Sequence, residues 1–245
     1  MDPKGKCALL TGGARIGQEV ARSLAAHGCN LALVYRESRD TAEESALAAR
    51  RMGVRAEVLR ADATDEKQVT AAVSDAVRLL GGIDILINMA STYVHTATSR
   101  LGLKAWTEAI DSNAKSAFLF SVKTAPVMKK AGAGRIINFS DWIATSGRPR
   151  YEGYAPYYVA KSAVDGITEA LALEFAPDIL VNAVAPGPIL APPGLSAEDN
   201  SKVLAATPLR RWGGAAEIAR AVLFLIETDF VTGECLRVDG GRHLY

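Results

Sequence analysis

Short apolar runs bounded by Gly, Asn or Asp alternate with longer segments whose apolar residues recur every three to four positions, and the alternation holds along the whole chain. The first pattern suits a strand buried on both faces, the second a helix with one buried stripe. Strands are expected at Lys6 to Thr11, Asn30 to Tyr35, Val54 to Arg60, Ile83 to Asn88, Gly134 to Ser140, Ile179 to Val184 and Glu234 to Val238. Helices are expected at Ile16 to His27, Thr41 to Met52, Glu66 to Leu80, Leu103 to Lys130, Pro156 to Phe175 and Ala215 to Glu227. Strand and helix in alternation predict an α/β fold, with a seven-stranded parallel sheet doubly wound by right-handed crossovers. Ligands of such sheets sit beyond the carboxyl ends of the strands, so the residues just after each strand are the ones to inspect.

The chain has 245 residues and no linker-like stretch, which predicts one domain over 1–245. Its irregular region runs from about 186 to 208 and carries Pro186, Pro188, Pro192 and Pro193. It is expected to be a loop with a short helix that covers the substrate. The formal charge is +1, with no basic block or acidic tail, so a small soluble ligand fits better than nucleic acid or an anionic membrane. No apolar run reaches the ~20 residues of a membrane span or forms a signal peptide, and a cytoplasmic location is expected. Cys7, Cys29 and Cys235 lie in or beside strand-forming runs without metal-ligand spacing. They are read as small buried hydrophobes, and no metal is expected.

Thr11-Gly12-Gly13-Ala14-Arg15-Ile16-Gly17 follows the first strand and opens the first helix. In that context glycines let backbone approach a pyrophosphate, and the helix N-terminus offers free N–H groups, which is the arrangement of a Rossmann-type dinucleotide site. After the second strand, where an acidic residue would bind the ribose hydroxyls of NAD, the chain has Tyr35, Arg36, Glu37 and Ser38. A guanidinium can grip a 2′-phosphate and a serine hydroxyl can assist, so the expected cofactor is NADPH; the plainer alternative is that Arg36 is a solvated surface charge. Further on, Tyr157 and Lys161 stand four residues apart on one helix face. A tyrosine titrates near ~10 in water, and a nearby ammonium should lower that value enough for the phenol to exchange a proton during hydride transfer.

With these residues in place the chain resembles the short-chain dehydrogenase/reductase family from end to end. The resemblance assigns Asp62 and Ala63 to the adenine, and Asn88, Ala90 and Ser91, in Asn88-Met89-Ala90-Ser91, to the family's NNAG position. It places Pro186, Gly187 and Ile189 at the nicotinamide, and has Tyr157 and Lys161 bind the cofactor as well, Lys161 through the nicotinamide ribose. It adds Asn113 to the catalytic set with Tyr157 and Lys161, and implies a homotetramer. Gly12, Arg15, Ile16 and Gly17 become the phosphate turn, one residue shorter than the family's usual form.

At the fifth strand the family's catalytic serine is the second of a Ser-Ser pair, and on that register this chain has Asp141, with Ser140 one place early. Successive residues leaving a strand point to opposite sides, so Ser140 is expected to face away and Asp141 to face the substrate. An aspartate there resembles the pteridine reductases within the family, as do Ala90-Ser91-Thr92-Tyr93, Ser112-Asn113-Ala114, Gly153-Tyr154-Ala155-Pro156-Tyr157 and Arg15 before Ile16-Gly17. The resemblance implies NADPH-dependent reduction of a dihydropterin, with Arg15, Ser91, Tyr93, Asp141 and Tyr157 around the substrate and Tyr157 and Asp141 delivering the proton. Plainer readings are that Asp141 caps a helix, that Tyr93 packs on the core and that Arg15 only neutralises phosphate. The alternatives for the whole protein are a reductase of a ketone, aldehyde or 3-oxoacyl thioester and, in a different class, a non-catalytic NADPH-binding sensor.

Overall fold

In the computed structural model, which describes residues 1–147 and 149–244, seven strands form one parallel sheet in the order β3-β2-β1-β4-β5-β6-β7. These are β1 (Cys7–Thr11), β2 (Asn30–Tyr35), β3 (Ala56–Arg60), β4 (Ile85–Asn88), β5 (Gly134–Phe139), β6 (Ile179–Pro186) and β7 (Cys235–Val238). The order reverses direction between β1 and β4, which opens the crevice where doubly wound sheets bind ligands.

Helices α1 (Ile16–Ala26), α2 (Arg39–Arg51) and α9 (Ala215–Glu227) pack on one face. There Val20, Leu24, Ile218, Val222 and Leu225 meet Leu10, Leu31, Leu33, Ile85 and Ile87 of the sheet. On the other face α3 (Glu66–Leu80), α5 (Ser116–Ala131) and α7 (Ala155–Phe175) bring Val69, Phe120, Met128 and Leu171 against Leu9, Leu86, Ile136 and Val181. Alternate residues of one strand thus serve different cores, which is why the strand runs are apolar throughout. Strand β6 extends two residues beyond its expected end, because Ala185 and Pro186 still align with Arg237 and Val238 of β7. Proline is tolerated there because the strand is ending.

The segment expected as one helix from Leu103 to Lys130 is α4 (Leu103–Ile110) and α5, joined by a π turn at Asp111–Lys115. Periodicity cannot register a single widened turn, yet such turns recur at functional sites. After β5 the chain makes one helical turn, α6 (Trp142–Thr145), and the covering region after β6 contains α8 (Ala197–Ala205). Trp212 donates its indole N–H to the Asn200 side chain at 2.9 Å, which ties α8 down beside the sheet's carboxyl edge. Among the described residues no helix is long and apolar enough to cross a membrane.

Candidate active site

The glycine turn lies against the end of β4. Gly12 has φ +73°, and a Cβ there would sit 2.6 Å from the Ala90 nitrogen, so only glycine allows the two backbones to approach this closely. The Thr11 hydroxyl accepts from the Met89 and Ala90 N–H groups at 3.2 Å each, a tie between the two strand ends that the sequence reading missed. The shortened turn enters α1 through Arg15, a non-glycine residue at φ 54°. Its guanidinium donates to the carbonyls of Ala191 at 2.9 Å and Leu190 at 3.4 Å, bridging the glycine turn to the segment after β6.

Two cavities share Gly12, Ala14, Arg15, Met89 and Ser91. The first, about 490 Å³, is walled by Tyr35, Arg36, Ser38, Asp62, Ala63 and Ala90, at the ends of β2, β3 and β4. Arg36 is half exposed, 3.2 Å from Glu37 through Nε and 3.9 Å from Asp62 through Nη1. Asp62 accepts from the backbone and hydroxyl of Thr64, and these bonds hold its carboxyl below the usual range, with the charge of Arg36 adding to them. The donor set therefore fits a nucleotide. It has a glycine turn at a helix start, a carboxylate after β3, and a guanidinium and hydroxyl after β2.

The second cavity, about 550 Å³, holds the reacting groups: Ile16, Gly17, Tyr93, Asp141, Tyr157, Lys161, Pro186, Gly187 and Ile189 all line it. Tyr157 donates its phenolic proton to Asp141 Oδ2 at 2.7 Å, while Asp141 Oδ1 accepts from the Ile143 N–H at 3.0 Å. Asp141 thus caps α6 with one oxygen, as the plainer reading expected, and meets the Tyr157 hydroxyl with the other. Ser140 is buried and its hydroxyl donates to the Lys161 carbonyl at 3.4 Å, yet it lines the second cavity beside Asp141, so alternation along the strand end does not remove it from that cavity as expected.

The electrostatics differ from the sequence-based expectation. Lys161 is buried and gives its ammonium to the Phe139 carbonyl at 2.7 Å, with Nζ 5.8 Å from the centre of the Tyr157 ring. Tyr157 is held well above the usual phenol range, first by burial and then by the charge of Asp141, so the ammonium does not lower it as expected. Burial likewise raises the Asp141 carboxyl, favouring its protonated form. Desolvation brings Lys161 down to about 8, against the opposing fields of Asp141 and Asp165. The charged ammonium therefore prevails below that value and is lost above it. If the ammonium supports turnover, kcat/KM should decline as pH rises through about 8; a profile flat to pH 10 would count against that role.

Two expected site residues line neither cavity. Asn88 is buried, and its amide donates to the Ala117 carbonyl at 3.2 Å, Ser121 Oγ at 3.1 Å and Asn138 Oδ1 at 2.9 Å. Its side chain joins β4 to β5 and α5, and the site is served by the loop it anchors. Asn113, in the π turn, donates to the carbonyls of Thr92 at 3.2 Å and Ala109 at 3.0 Å, behind the wall formed by Ser91 and Tyr93. Its Oδ1 is buried with no hydrogen-bond partner among the described residues. Conversely, Trp142, Tyr151, Leu195, Val203 and Trp212 line the second cavity and were not foreseen. Trp142 carried a signal in its place beside Asp141, and Leu195 and Val203 fall within the covering region expected from about 186 to 208. Tyr151 and Trp212 lie outside both, and the fold alone brings them there.

A fold and site of this kind define an oxidoreductase of the short-chain type. The chain belongs to the short-chain dehydrogenase/reductase family: the profile of a family described as "Enoyl-(Acyl carrier protein) reductase" matches residues 13–243. Among curated relatives, it is 34% identical over 245 residues to the 3-oxoacyl-(acyl-carrier-protein) reductase FabG of Staphylococcus aureus (strain Mu50), spanning 98% of each chain. Among solved structures, a short-chain dehydrogenase/reductase from Serratia marcescens matches with a TM-score of 0.91 and 31% identity, over 99% of this chain and 100% of that one. FolM Alternative dihydrofolate reductase 1 from Brucella canis, complexed with NADP, matches with a TM-score of 0.88 and 30% identity, over 98% of this chain and 95% of that one.

Proposed function

We propose that the protein is an NADPH-dependent reductase of a flat, conjugated C=N substrate, a dihydropterin, with Asp141, Tyr157 and Lys161 as its catalytic set and Asn113 as a positioning residue behind them. The observation that carries this reading is the 2.7 Å bond between Tyr157 and Asp141, formed while the Ser140 hydroxyl is engaged by the Lys161 carbonyl. Bound NADPH would supply the hydride. The paired phenol and carboxyl hold the accompanying proton at Tyr157 Oη and Asp141 Oδ2, and a carboxyl raised by burial suits delivery to a basic ring nitrogen. Asn113 acts through the loop it fastens at Thr92, and Lys161 holds positive charge beneath Tyr157. Arg36 and Ser38 would take the 2′-phosphate, with Asp62 and Ala63 beside the adenine and Pro186, Gly187 and Ile189 beside the nicotinamide.

Arg36→Ala should raise KM for NADPH about tenfold and leave NADH little changed, since the guanidinium's partner exists only on the phosphorylated cofactor. Equal losses for both cofactors would remove Arg36 from that role.

A 3-oxoacyl thioester is the second reading, and the comparisons support it better than they support the pterin. The S. aureus relative is named a 3-oxoacyl reductase, and the matching family carries an acyl-carrier-protein description. In that reading the tyrosine protonates a carbonyl oxygen and Asp141 orients it. NADPH oxidation measured against dihydropterins, folates, ketones and 3-oxoacyl thioesters decides between them. Turnover of dihydropterins supports the first reading, turnover of thioesters without dihydropterins replaces it with the second, and cofactor binding with no turnover would leave a sensor.

A further inference from the structure

Tyr93 stands on the loop after β4 with 56% of its surface exposed, and it is not packed on the core. A loop aromatic so exposed would ordinarily move among rotamers, yet here its ring is fixed on two sides. It stacks on Tyr154 with centroids 4.4 Å apart and planes 12° from parallel, and meets Tyr157 edge-on at 4.7 Å and 80°. Tyr154 is in turn met edge-on by His95 at 5.4 Å and 76°. The two loops that carry these rings are joined by backbone, the Thr96 N–H donating to the Gly153 carbonyl at 2.7 Å. Gly153 has φ +77°, and a Cβ on it would lie 2.3 Å from His95 Nε2, so the joint closes only around a glycine.

We propose that Tyr154 is a specificity-determining positioning residue, which holds Tyr93 as a fixed platform at the mouth of the second cavity so that a flat substrate ring lies against it. This rests on the dihydropterin reading and adds a residue to it. Tyr154 does not line that cavity and acts through Tyr93, which does. A platform held in place by the protein spares the substrate the ordering of a loose side chain, so its contribution falls on binding and hardly on the chemical step.

The test is steady-state kinetics with NADPH and a dihydropterin. Tyr154→Ala and Tyr154→Leu should each raise KM for the dihydropterin about 3- to 10-fold, the range of an aromatic pair, with kcat within about twofold. Tyr154→Phe, which keeps the ring, should restore KM, and NADPH affinity should be unchanged throughout. The double variant Tyr93→Ala/Tyr154→Ala should be no worse than Tyr93→Ala alone, because one change already removes what the other supports. Additive losses, an unchanged KM, a loss confined to kcat, or Tyr154→Leu behaving like Tyr154→Phe would overturn the proposal while the dihydropterin reading stood. A wild-type enzyme that does not turn over dihydropterins would remove that reading and the platform with it.

Discussion

Tyr157→Phe should lower turnover about 1,000-fold while NADPH still binds, the scale expected when a positioned proton donor is removed. The ring is buried with Trp142 and Ile143, and phenylalanine fills the same volume, so packing survives. Only the hydroxyl is lost, and with it the donor to Asp141 Oδ2. Asp141 keeps its other bond, to the Ile143 N–H, so α6 stays capped and the cavity wall in place. The first cavity, proposed for the adenine and the 2′-phosphate, draws on the ends of β1 to β4 and does not include Tyr157, which lines the second cavity, on the proposed nicotinamide side. Cofactor affinity followed by NADPH fluorescence, alongside single-turnover oxidation, separates binding from chemistry. Near-normal turnover would remove Tyr157 from the mechanism and direct attention to Tyr158.

The sheet was legible because strands covered on both faces must be apolar along their length, and each expected strand corresponds to an observed one within a residue or two at most ends. That Gly12, Arg36 and Asp62 would share one cavity was legible for a related reason: they follow strand ends, and the topology brings those ends together whatever the helices do in detail. Strand alternation did not separate Asp141 from Ser140, for both line the second cavity; their partners separate them, Asp141 meeting the Tyr157 hydroxyl and Ser140 the Lys161 carbonyl. What the sequence concealed depends on contacts between distant segments. Nothing local to Asn88 announces that its amide is taken up by Ala117, Ser121 and Asn138. Nothing near Arg15 shows that it reaches the carbonyls of Leu190 and Ala191 across the cleft. The expected effect of Lys161 on Tyr157 failed on magnitude. Spacing along a helix puts the ammonium near the phenol, but burial and the adjacent carboxyl outweigh it.

The sharpest division between the two substrate classes lies in Asp141 and Ser140. Asp141→Ala removes two things at once, the cap of α6 and the partner of Tyr157, so a loss of activity there is ambiguous. A lost cap alone costs about 1 kcal/mol. Asp141→Asn separates the two, because its amide oxygen can still accept from the Ile143 N–H while the side chain no longer carries an acidic proton. We expect Asp141→Asn to melt close to the wild type, yet to reduce dihydropterins about 100-fold more slowly, the loss expected of an acid that takes part in proton delivery. Ser140→Ala removes a hydroxyl whose 3.4 Å bond is to the Lys161 carbonyl and not to Tyr157, and should change turnover less than about fivefold. Melting temperature and kcat for all three variants, measured on a dihydropterin and on a 3-oxoacyl thioester, give the answer. If Ser140→Ala is the damaging change, Asp141→Asn is mild and the thioester is the better substrate, the carboxyl is only a cap and the chain is a carbonyl reductase.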